Sequence, residues 1–157
     1  RRAKIRTLAM TSVIRRATLE DLERIAPLFD AYRRFYGCDS DLALARNFLR
    51  ERISRAESVI FVSEQDGNPV GFTQLYPSFT STGAARIWIL NDLYVDGSTR
   101  RSGIASLLLH AARDYARKTG AVKLTLSTAT GNHAAQALYA SHGWVRDEDF
   151  LTYELPV

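Results

Sequence analysis

The chain has 157 residues, of which 46% are hydrophobic and 24% charged, a composition typical of one globular domain with a sizeable core. It contains no run of 18 apolar residues, so we expect neither a transmembrane helix nor a signal peptide, and no membrane partner. The single cysteine, Cys38, excludes an internal disulfide and fits a reducing cytosol, which predicts a cytoplasmic protein.

The formal net charge of +4 comes from the N-terminus. Four of the 21 basic residues lie within residues 1–9, which contain no acid, so the other 17 balance the 17 acidic residues. We therefore interpret residues 1–11 as a basic tail, disordered or left over from cloning, with Met10 as a possible natural start. A nucleic-acid-binding arm is the alternative, but no aromatic residues are interleaved with these charges, so we expect no nucleic acid partner.

In chain order, the pattern first predicts a strand over residues 12–17. A helix follows, which Thr18 caps with Asp21 as its capping-box partner and which Gly37 ends. Apolar residues at helical spacing predict a second helix over residues 41–55.

Two segments rich in β-branched and aromatic residues then predict strands over residues 58–64 and 70–76. The turn residues 65–69 join them as a hairpin. We expect Pro77 to stop the second strand and residues 79–84 to form a loop.

The second half alternates strands and helices, so the whole order is βααββ followed by βαβαβ, which indicates an α/β fold with a mixed sheet. The predicted segments are a strand over 86–95, a loop over 96–99, a helix over about 101–118 closed by Gly120, a strand over 122–128, a helix over 132–141 closed by Gly143, and a last strand over 150–156.

The residues that enter the long helix have the pattern of an anion site. Arg100 and Arg101 add positive charge where the first helical N–H groups are unpaired, and the helix dipole is positive there. Gly103 permits close approach of a phosphate or pyrophosphate, and Ala105 keeps the next turn slim. The pattern is neither a P-loop nor a dinucleotide fingerprint. A solvated basic cap on an ordinary amphipathic helix is the alternative.

A second polar cluster follows the next predicted strand. Asn132 stands at a helix N-cap, and Tyr139 lies seven residues further on, about two turns along the same face. The alternative is a capping asparagine and a core tyrosine.

Taken together, the two clusters resemble the GCN5-related N-acetyltransferase (GNAT) family. The resemblance covers about Val13 to Leu155 and implies a single-domain α/β fold, with a mixed, mostly antiparallel central sheet flanked by helices. Within the family, "LNDLYV" and "NHAAQALY" are most similar to fungal enzymes described as acting on histones, polyamines or D-amino acids, and to diamine acetyltransferases. The residues that carry the resemblance are Arg100, Gly103 and Ala105, then Asn132, Ala135, Leu138, Tyr139, Gly143 and Trp144.

This resemblance implies an enzyme that uses acetyl-CoA to acetylate a primary amine by direct transfer in a ternary complex. The acceptor would be a small molecule, a polyamine or an amino acid, and the enzyme a homodimer. A protein acetyltransferase acting on a lysine or an N-terminus is one alternative. A non-catalytic acyl-CoA-binding module is another, which would not need Tyr139.

By the same resemblance, the strand ending at Val95 splays from its neighbour and the pantetheine arm lies in the gap. Asn132 would contact that arm or fix the second helix, and the Leu93 N–H could polarise the thioester carbonyl. The implied cofactor-binding residues are Leu93, Tyr94, Val95, Arg100, Arg101, Ser102, Gly103, Ile104, Ala105, Ser106, Asn132 and Ala135.

The catalytic candidates are Tyr139, as the acid that protonates the departing thiolate, and Asp92, which would bind the ammonium or pass on its proton. Asn91 stands where the diamine enzymes have a glutamate, and it cannot ionise. The alternative for Asp92 is a structural ion pair with an arginine such as Arg86.

The remaining candidates are aromatic residues and isolated metal-ligand types. Tyr36 and Tyr76, with Tyr32, are aromatics able to stack on or enclose the substrate ammonium, with core packing as the alternative. The three histidines lack metal-ligand spacing, so we predict no metal, and Cys38 reads as an inert thiol.

Overall fold

A computed structural model of the chain describes residues 12–157, so the predicted basic tail lies outside the described residues. The chain divides into two compact units: the first ends at Leu126 and the second spans Ser127–Val157. The elements are β1 (Val13–Arg16), a 3-10 turn (Leu19–Asp21), α1 (Leu22–Phe35), α2 (Leu42–Ser54), β2 (Val59–Gln65), β3 (Asn68–Thr80), β4 (Ala85–Val95), a 3-10 turn (Gly97–Thr99), α3 (Ile104–Lys118), β5 (Lys123–Thr125) and α4 (His133–Ser141).

The first unit contains a five-stranded sheet with its strands in sequence order. The pairs from β1 to β4 are antiparallel, and β5 is parallel to β4. The mixed, mostly antiparallel α/β fold predicted from the sequence is therefore confirmed. Within residues 12–157, no helix is both long and apolar enough to cross a bilayer.

Helices cover both faces of this sheet. On one face, α1 and α2 pack on the inward side chains of β2 and β3, and Phe29 and Phe72 lie within the same buried cluster. On the other face, α3 buries Ile104 and Leu108. Neighbouring residues of a strand point to opposite faces, so Phe72 contacts α1 while Gly71 faces α3.

Gly71 lets α3 approach the sheet closely. A Cβ at this position would lie 3.0 Å from the carbonyl oxygen of Tyr94 and 3.1 Å from Cγ2 of Ile104. Both atoms belong to packed elements, so they have little room to move. The absence of a side chain at Gly71 therefore sets the distance between the sheet and the helix that follows β4.

Two strand predictions are wrong in the first unit. β3 continues through Pro77 to Thr80 instead of stopping, and so absorbs part of the expected loop. The ladder with β2 ends at the Val59–Leu75 pair, so beyond Leu75 the strand pairs only with β4. A proline is tolerated there because an edge strand does not need every N–H. The strand expected over 122–128 is shorter, at Lys123–Thr125.

The last predicted strand is also wrong, because residues 150–156 form no strand. Their apolar side chains are largely exposed, among them Phe150, Leu151, Tyr153 and Leu155. A high β propensity becomes a strand only when another strand pairs with it, and the second unit contains a helix and no strand. The helix of this unit matches its prediction, with Asn132 as its N-cap and Gly143 at φ +81° after its end.

A buried carboxylate joins β1 to the start of α1. Asp21 accepts hydrogen bonds from the Arg15 guanidinium at 2.5 and 2.8 Å and from the Thr18 N–H at 2.8 Å. Arg15 also contacts Glu64 on β2 at 2.8 Å. The Arg15 guanidinium is the main reason that the pKa of Asp21 is lowered to about 2.

We expect Asp21→Asn to lower the free energy of unfolding by about 1–2 kcal/mol at pH 7, since Arg15 is partly exposed and screened. A depressed carboxyl pKa stabilises the fold above the unfolded pKa, and that stabilisation is lost as pH falls through the folded pKa. The difference between the two proteins should therefore shrink between about pH 4 and pH 2 in urea unfolding. Glu23→Gln, which removes an exposed pair with Arg46, is the control and should change little. A pH-independent difference would contradict this origin.

Candidate active site

β4 contains a bulge at the position of the predicted catalytic carboxylate. Gln74 of β3 pairs with Asp92, whereas the next residue, Leu75, pairs with Leu90. Asn91 is therefore the extra residue of β4, without a partner in the register. A bulge turns the strand locally, and here the exposed Asn91 lies between the buried Leu90 and Asp92.

The Asp92 carboxylate is buried and held by neutral amides. Asp92 is only 4% exposed to solvent. Oδ2 accepts a hydrogen bond of 2.6 Å from the Gln74 amide, and Oδ1 accepts one of 3.1 Å from the Asn91 amide. The alternative of an ion pair with Arg86 is not what the structure contains, since the Arg86 guanidinium lies over the rings of Phe79 and Trp88.

Tyrosine hydroxyls complete this polar cluster. Tyr76 accepts a hydrogen bond of 3.2 Å from the same Gln74 amide. Burial, with the negative charge of Asp92, raises the pKa of Tyr76 to about 12, and Arg52 opposes the shift. Burial also raises the pKa of Tyr32. The negative charge of Asp92 and a hydrogen bond between Tyr32 and Asp92 raise it further. Both phenols therefore stay protonated at neutral pH.

The predicted substrate residues thus differ in their surroundings. Tyr76 is half-buried beside Asp92, and it also borders an open groove of about 650 Å³ with Phe48, Arg52 and Glu57. Tyr36 is 56% exposed and packs edge-on against Tyr32, with 5.1 Å between ring centroids. Tyr76 is accordingly next to the carboxylate, whereas Tyr36 connects to it only through Tyr32.

Beyond the bulge, the outer edge of β4 leaves the parallel ladder. The pairs with β5 run from Ile87–Lys123 to Ile89–Thr125, and none is formed further along within residues 12–157. Leu93 and Val95 pair on the other side with Thr73 and Gly71. Main-chain groups of Leu93, Tyr94 and Val95 that point away from β3 are therefore outside the sheet ladder, where an extended ligand can pair with them.

Hydrogen bonds between residues close in the chain hold the turn after β4 in place. Asp96 accepts hydrogen bonds from the N–H of Ser98 at 2.9 Å and from its hydroxyl at 2.5 Å. Arg100 donates to the Val95 carbonyl at 3.3 Å, and its guanidinium lies 5.4 Å from the centroid of the Phe35 ring. Arg100 is therefore folded back along the end of β4 with part of its charge already engaged.

α3 begins at Ile104, three residues later than expected. Arg101 has φ +63° and Gly103 has φ +81°, so the chain passes twice through the left-handed region before the helix starts. Gly103 is the N-cap, and a Cβ built on it meets no atom within 4 Å. Since the protein leaves this space open, a phosphate can approach the N–H groups at the start of the helix, where the first turn has no intrahelical acceptors.

In the second unit, Asn132 caps its helix as its structural alternative expects, whereas Tyr139 is only half-buried and is not a core residue. The Asn132 side chain accepts a hydrogen bond of 3.2 Å from the Ala135 N–H, which caps α4. The Tyr139 ring packs against Trp144, with 6.0 Å between centroids. Their roles toward a cofactor stay predictions.

Two features of the site escaped the sequence interpretation. Gln74 is fully buried, and its only sequence signal is a long polar side chain between Thr73 and Leu75 in the predicted strand. The bulge at Asn91 has no sequence signal, because it depends on the register of β3 against β4. Cys38 is exposed, and within residues 12–157 no group of three histidine, cysteine, aspartate or glutamate residues is placed to hold a metal.

Residues 15–144 match the profile of the Acetyltransferase (GNAT) family. The chain belongs to this family. Members use acetyl-CoA, and the chain is an N-acetyltransferase of the GNAT type. The more specific subgroups suggested by "LNDLYV" and "NHAAQALY" are not established by the match.

Three known proteins illustrate the similarity. The uncharacterized N-acetyltransferase YhfO of Bacillus subtilis (strain 168) is 47% identical over 92% of this chain and 97% of its own length. A solved structure of a probable acetyltransferase is 46% identical, with a TM-score of 0.88 over 92% of this chain and 97% of that one. The aminoglycoside N-acetyltransferase AAC(6')-Iy, solved in complex with CoA, is 17% identical with a TM-score of 0.81, over 96% and 99% of the two chains, and shares the fold.

The open space at Gly103 gives a test with acetyl-CoA. At 100 times its dissociation constant, a ligand stabilises a protein by about 2.7 kcal/mol, and Gly103→Val should abolish this gain by filling the space above the helix N-terminus. Valine also strains a positive φ, so the matched control is Gly120→Val at the other end of α3, where φ is +73° and the space is equally open. Both variants should melt lower without ligand, but only Gly120→Val should keep the acetyl-CoA response in thermal shift. An equal response in both variants would reject this turn as the phosphate site.

Proposed function

We propose that the enzyme transfers an acetyl group from acetyl-CoA directly to a small primary amine in a ternary complex. The observation that carries the proposal is on β4, where the buried Asp92 cluster is followed, after the free edge at Leu93 to Val95, by the anion-accepting turn at Gly103. One strand therefore supplies a place for an ammonium and a place for a phosphate with extended main chain between them.

The residues present suit acetyl-CoA by their chemistry. The turn at residues 100–106 offers two arginines and a helix N-terminus, with open space at Gly103. The edge at Leu93 to Val95 offers main-chain groups to an amide-bearing arm such as pantetheine. Acetyl-CoA, when bound, would supply an activated acetyl thioester. We assign polarisation of its carbonyl to the Leu93 N–H.

The amine must lose a proton before it can attack. An alkyl ammonium has a pKa near 10.4, so only about one molecule in a few thousand is neutral at pH 7. We assign the binding of the cation, and the acceptance or relay of its proton, to Asp92. The protonated Tyr32 and Tyr76 are donors beside this carboxylate, and their rings suit an ammonium ion.

The departing thiolate needs a proton, which we assign to Tyr139. A thiol pKa of about 8.5 and a phenol pKa of about 10 make this transfer nearly balanced. Direct transfer needs no covalent enzyme intermediate, so neither a serine nor Cys38 takes part.

The acceptor class is tested by one screen that measures release of free CoA. The panel is spermidine, free amino acids, the aminoglycoside kanamycin and a histone-tail peptide. We expect a small amine to be the best acceptor. Acetylation of the peptide alone would replace this proposal with a protein acetyltransferase. Binding of acetyl-CoA without any CoA release would leave a non-catalytic acyl-CoA-binding module.

For Tyr139 we expect Tyr139→Phe to lower kcat by about 10²–10⁴-fold, the usual contribution of a positioned acid. The ring is kept, so packing on Trp144 and the acetyl-CoA dissociation constant should change little. Tyr153→Phe, which alters an exposed tyrosine of the same unit, is the control and should retain full turnover. Steady-state kinetics with the best acceptor and a cofactor titration decide this, and a loss of only a few-fold would mean that solvent protonates the sulfur.

A further inference from the structure

The side-chain amide of Gln74 is buried, and its nitrogen forms two hydrogen bonds whereas its oxygen forms none within residues 12–157. Its residue is 0% exposed. Nε2 lies 2.6 Å from Oδ2 of Asp92 and 3.2 Å from the hydroxyl oxygen of Tyr76, so the nitrogen serves two acceptors. Oε1 is buried and has no hydrogen-bond partner within residues 12–157. An orphaned buried oxygen is costly and calls for an explanation.

The charge of Asp92 explains why the amide keeps this orientation. An ionised carboxylate can only accept hydrogen bonds, so it requires the NH₂ end of Gln74. The reversed amide would set Oε1 against the carboxylate oxygen, with no proton between them. A charge-assisted hydrogen bond outweighs a neutral one, so the orientation with an empty Oε1 is the more stable while Asp92 is charged.

The surroundings of Asp92 contain donors but no neutralising cation. Tyr32 faces it from α1 and Tyr76 from β3, and Arg52 of α2 acts on Tyr76. Arg52 is already paired with Glu51 at 3.1 Å and Glu57 at 2.7 Å. Within residues 12–157, no ion pair to Asp92 is formed.

We propose that Gln74 is a positioning residue that holds the Asp92 carboxylate ionised without cancelling its charge, so that the charge is kept for the ammonium of the acceptor. An arginine or lysine in this place would also hold the carboxylate, but it would neutralise the site. The neutral amide supplies a strong donor and leaves a net negative charge. This inference rests on the proposed function, in which Asp92 binds the amine.

Removing the Gln74 donor should change the proton affinity of the Asp92 carboxyl in a direction that can be measured. Hydrogen bonds to the charged form of a carboxyl favour that form, so loss of the Gln74 Nε2 donor should make the Asp92 carboxyl bind its proton more tightly. Gln74→Met keeps the length of the side chain and removes both polar atoms. The midpoint of the Asp92 carboxyl should therefore lie at a higher pH in this variant than in the wild type.

The matched control is Thr73→Val in the same strand. Thr73 is equally buried, and its hydroxyl donates to the main-chain carbonyl of Asp92 at 2.8 Å, not to the carboxylate. This change removes a buried hydrogen bond to the same residue without touching the charged group. Thr73→Val should therefore lower the melting temperature and leave the carboxyl titration where it is in the wild type.

The experiment is a ¹³C carboxyl NMR titration of the full chain, with Asp92→Asn to assign the resonance. A midpoint raised in Gln74→Met and unchanged in Thr73→Val supports the proposal. Equal midpoints in Gln74→Met and wild type, or equal shifts in Gln74→Met and Thr73→Val, would overturn it. If Gln74→Met does not fold, Asn91→Ala removes the other donor from an exposed position and should shift the midpoint in the same direction by less.

Kinetics with the best acceptor from the panel separate this inference from the proposed function. In Gln74→Met, the acid limb of the kcat/KM profile should move to higher pH with the carboxyl midpoint, and activity should recover above it. A limb that stays in place while the midpoint moves would overturn the role of Gln74 in catalysis. If no amine is acetylated by the wild type, the proposed function fails, while the NMR titration still measures what Gln74 does to Asp92.

Discussion

The pairing of β3 with β4 is the constraint on which the rest of this molecule depends. Ten pairs join the two strands, and the register changes once, between Gln74 and Leu75. On one side of the irregularity, the ladder buries Leu75 and Leu90. On the other side, it brings Asp92 opposite Gln74 and leaves Asn91 as the extra residue. A single bulge therefore converts a stretch of sheet into a polar site without interrupting the core.

Burying a carboxylate beside that core has an energetic cost, which the surrounding amides and phenols offset. Asp21 illustrates the other solution available to this protein, since it is held by the Arg15 guanidinium and its charge is neutralised. A carboxylate with an arginine partner stabilises the fold. A carboxylate that accepts hydrogen bonds only from neutral donors keeps its negative charge, which can attract a cation. The two buried aspartates therefore differ in their partners, and binding of the acceptor amine is the role that we propose for Asp92 alone.

The entry to α3 shows a similar division between stability and use. Its interior face buries Ile104 and Leu108, and Gly71 lets that face approach the sheet. Its N-terminus, by contrast, follows Arg101 and Gly103 in left-handed conformations that regular packing does not require. Backbone strain of this kind persists where the surroundings hold it, and it is common at ligand sites. Since β4 leads directly into this turn, the helix that completes the core also begins at the proposed phosphate site.

The sequence by itself determined the helices, most strands and the family. Helical periodicity and capping residues such as Thr18, Asn132 and Gly120 depend only on residues close together in the chain. The positions of the helices can therefore be predicted from the sequence. The motif at Arg100 to Ala105 and the cluster around Asn132 were sufficient to place the chain among the GNAT acetyltransferases.

What only the tertiary structure decided depends on partners distant in the chain. Pro77 lies within β3 because β2 has already ended, and residues 150–156 form no strand because none pairs with them in their unit. The environment of Asp92 depends on the register that brings Gln74 opposite it, and a register is a property of two strands. The sequence could therefore identify Asp92 as a candidate site residue, but not the residues that donate hydrogen bonds to it. Whether an aspartate is neutralised by an arginine or held by an amide is settled only when the chain has folded.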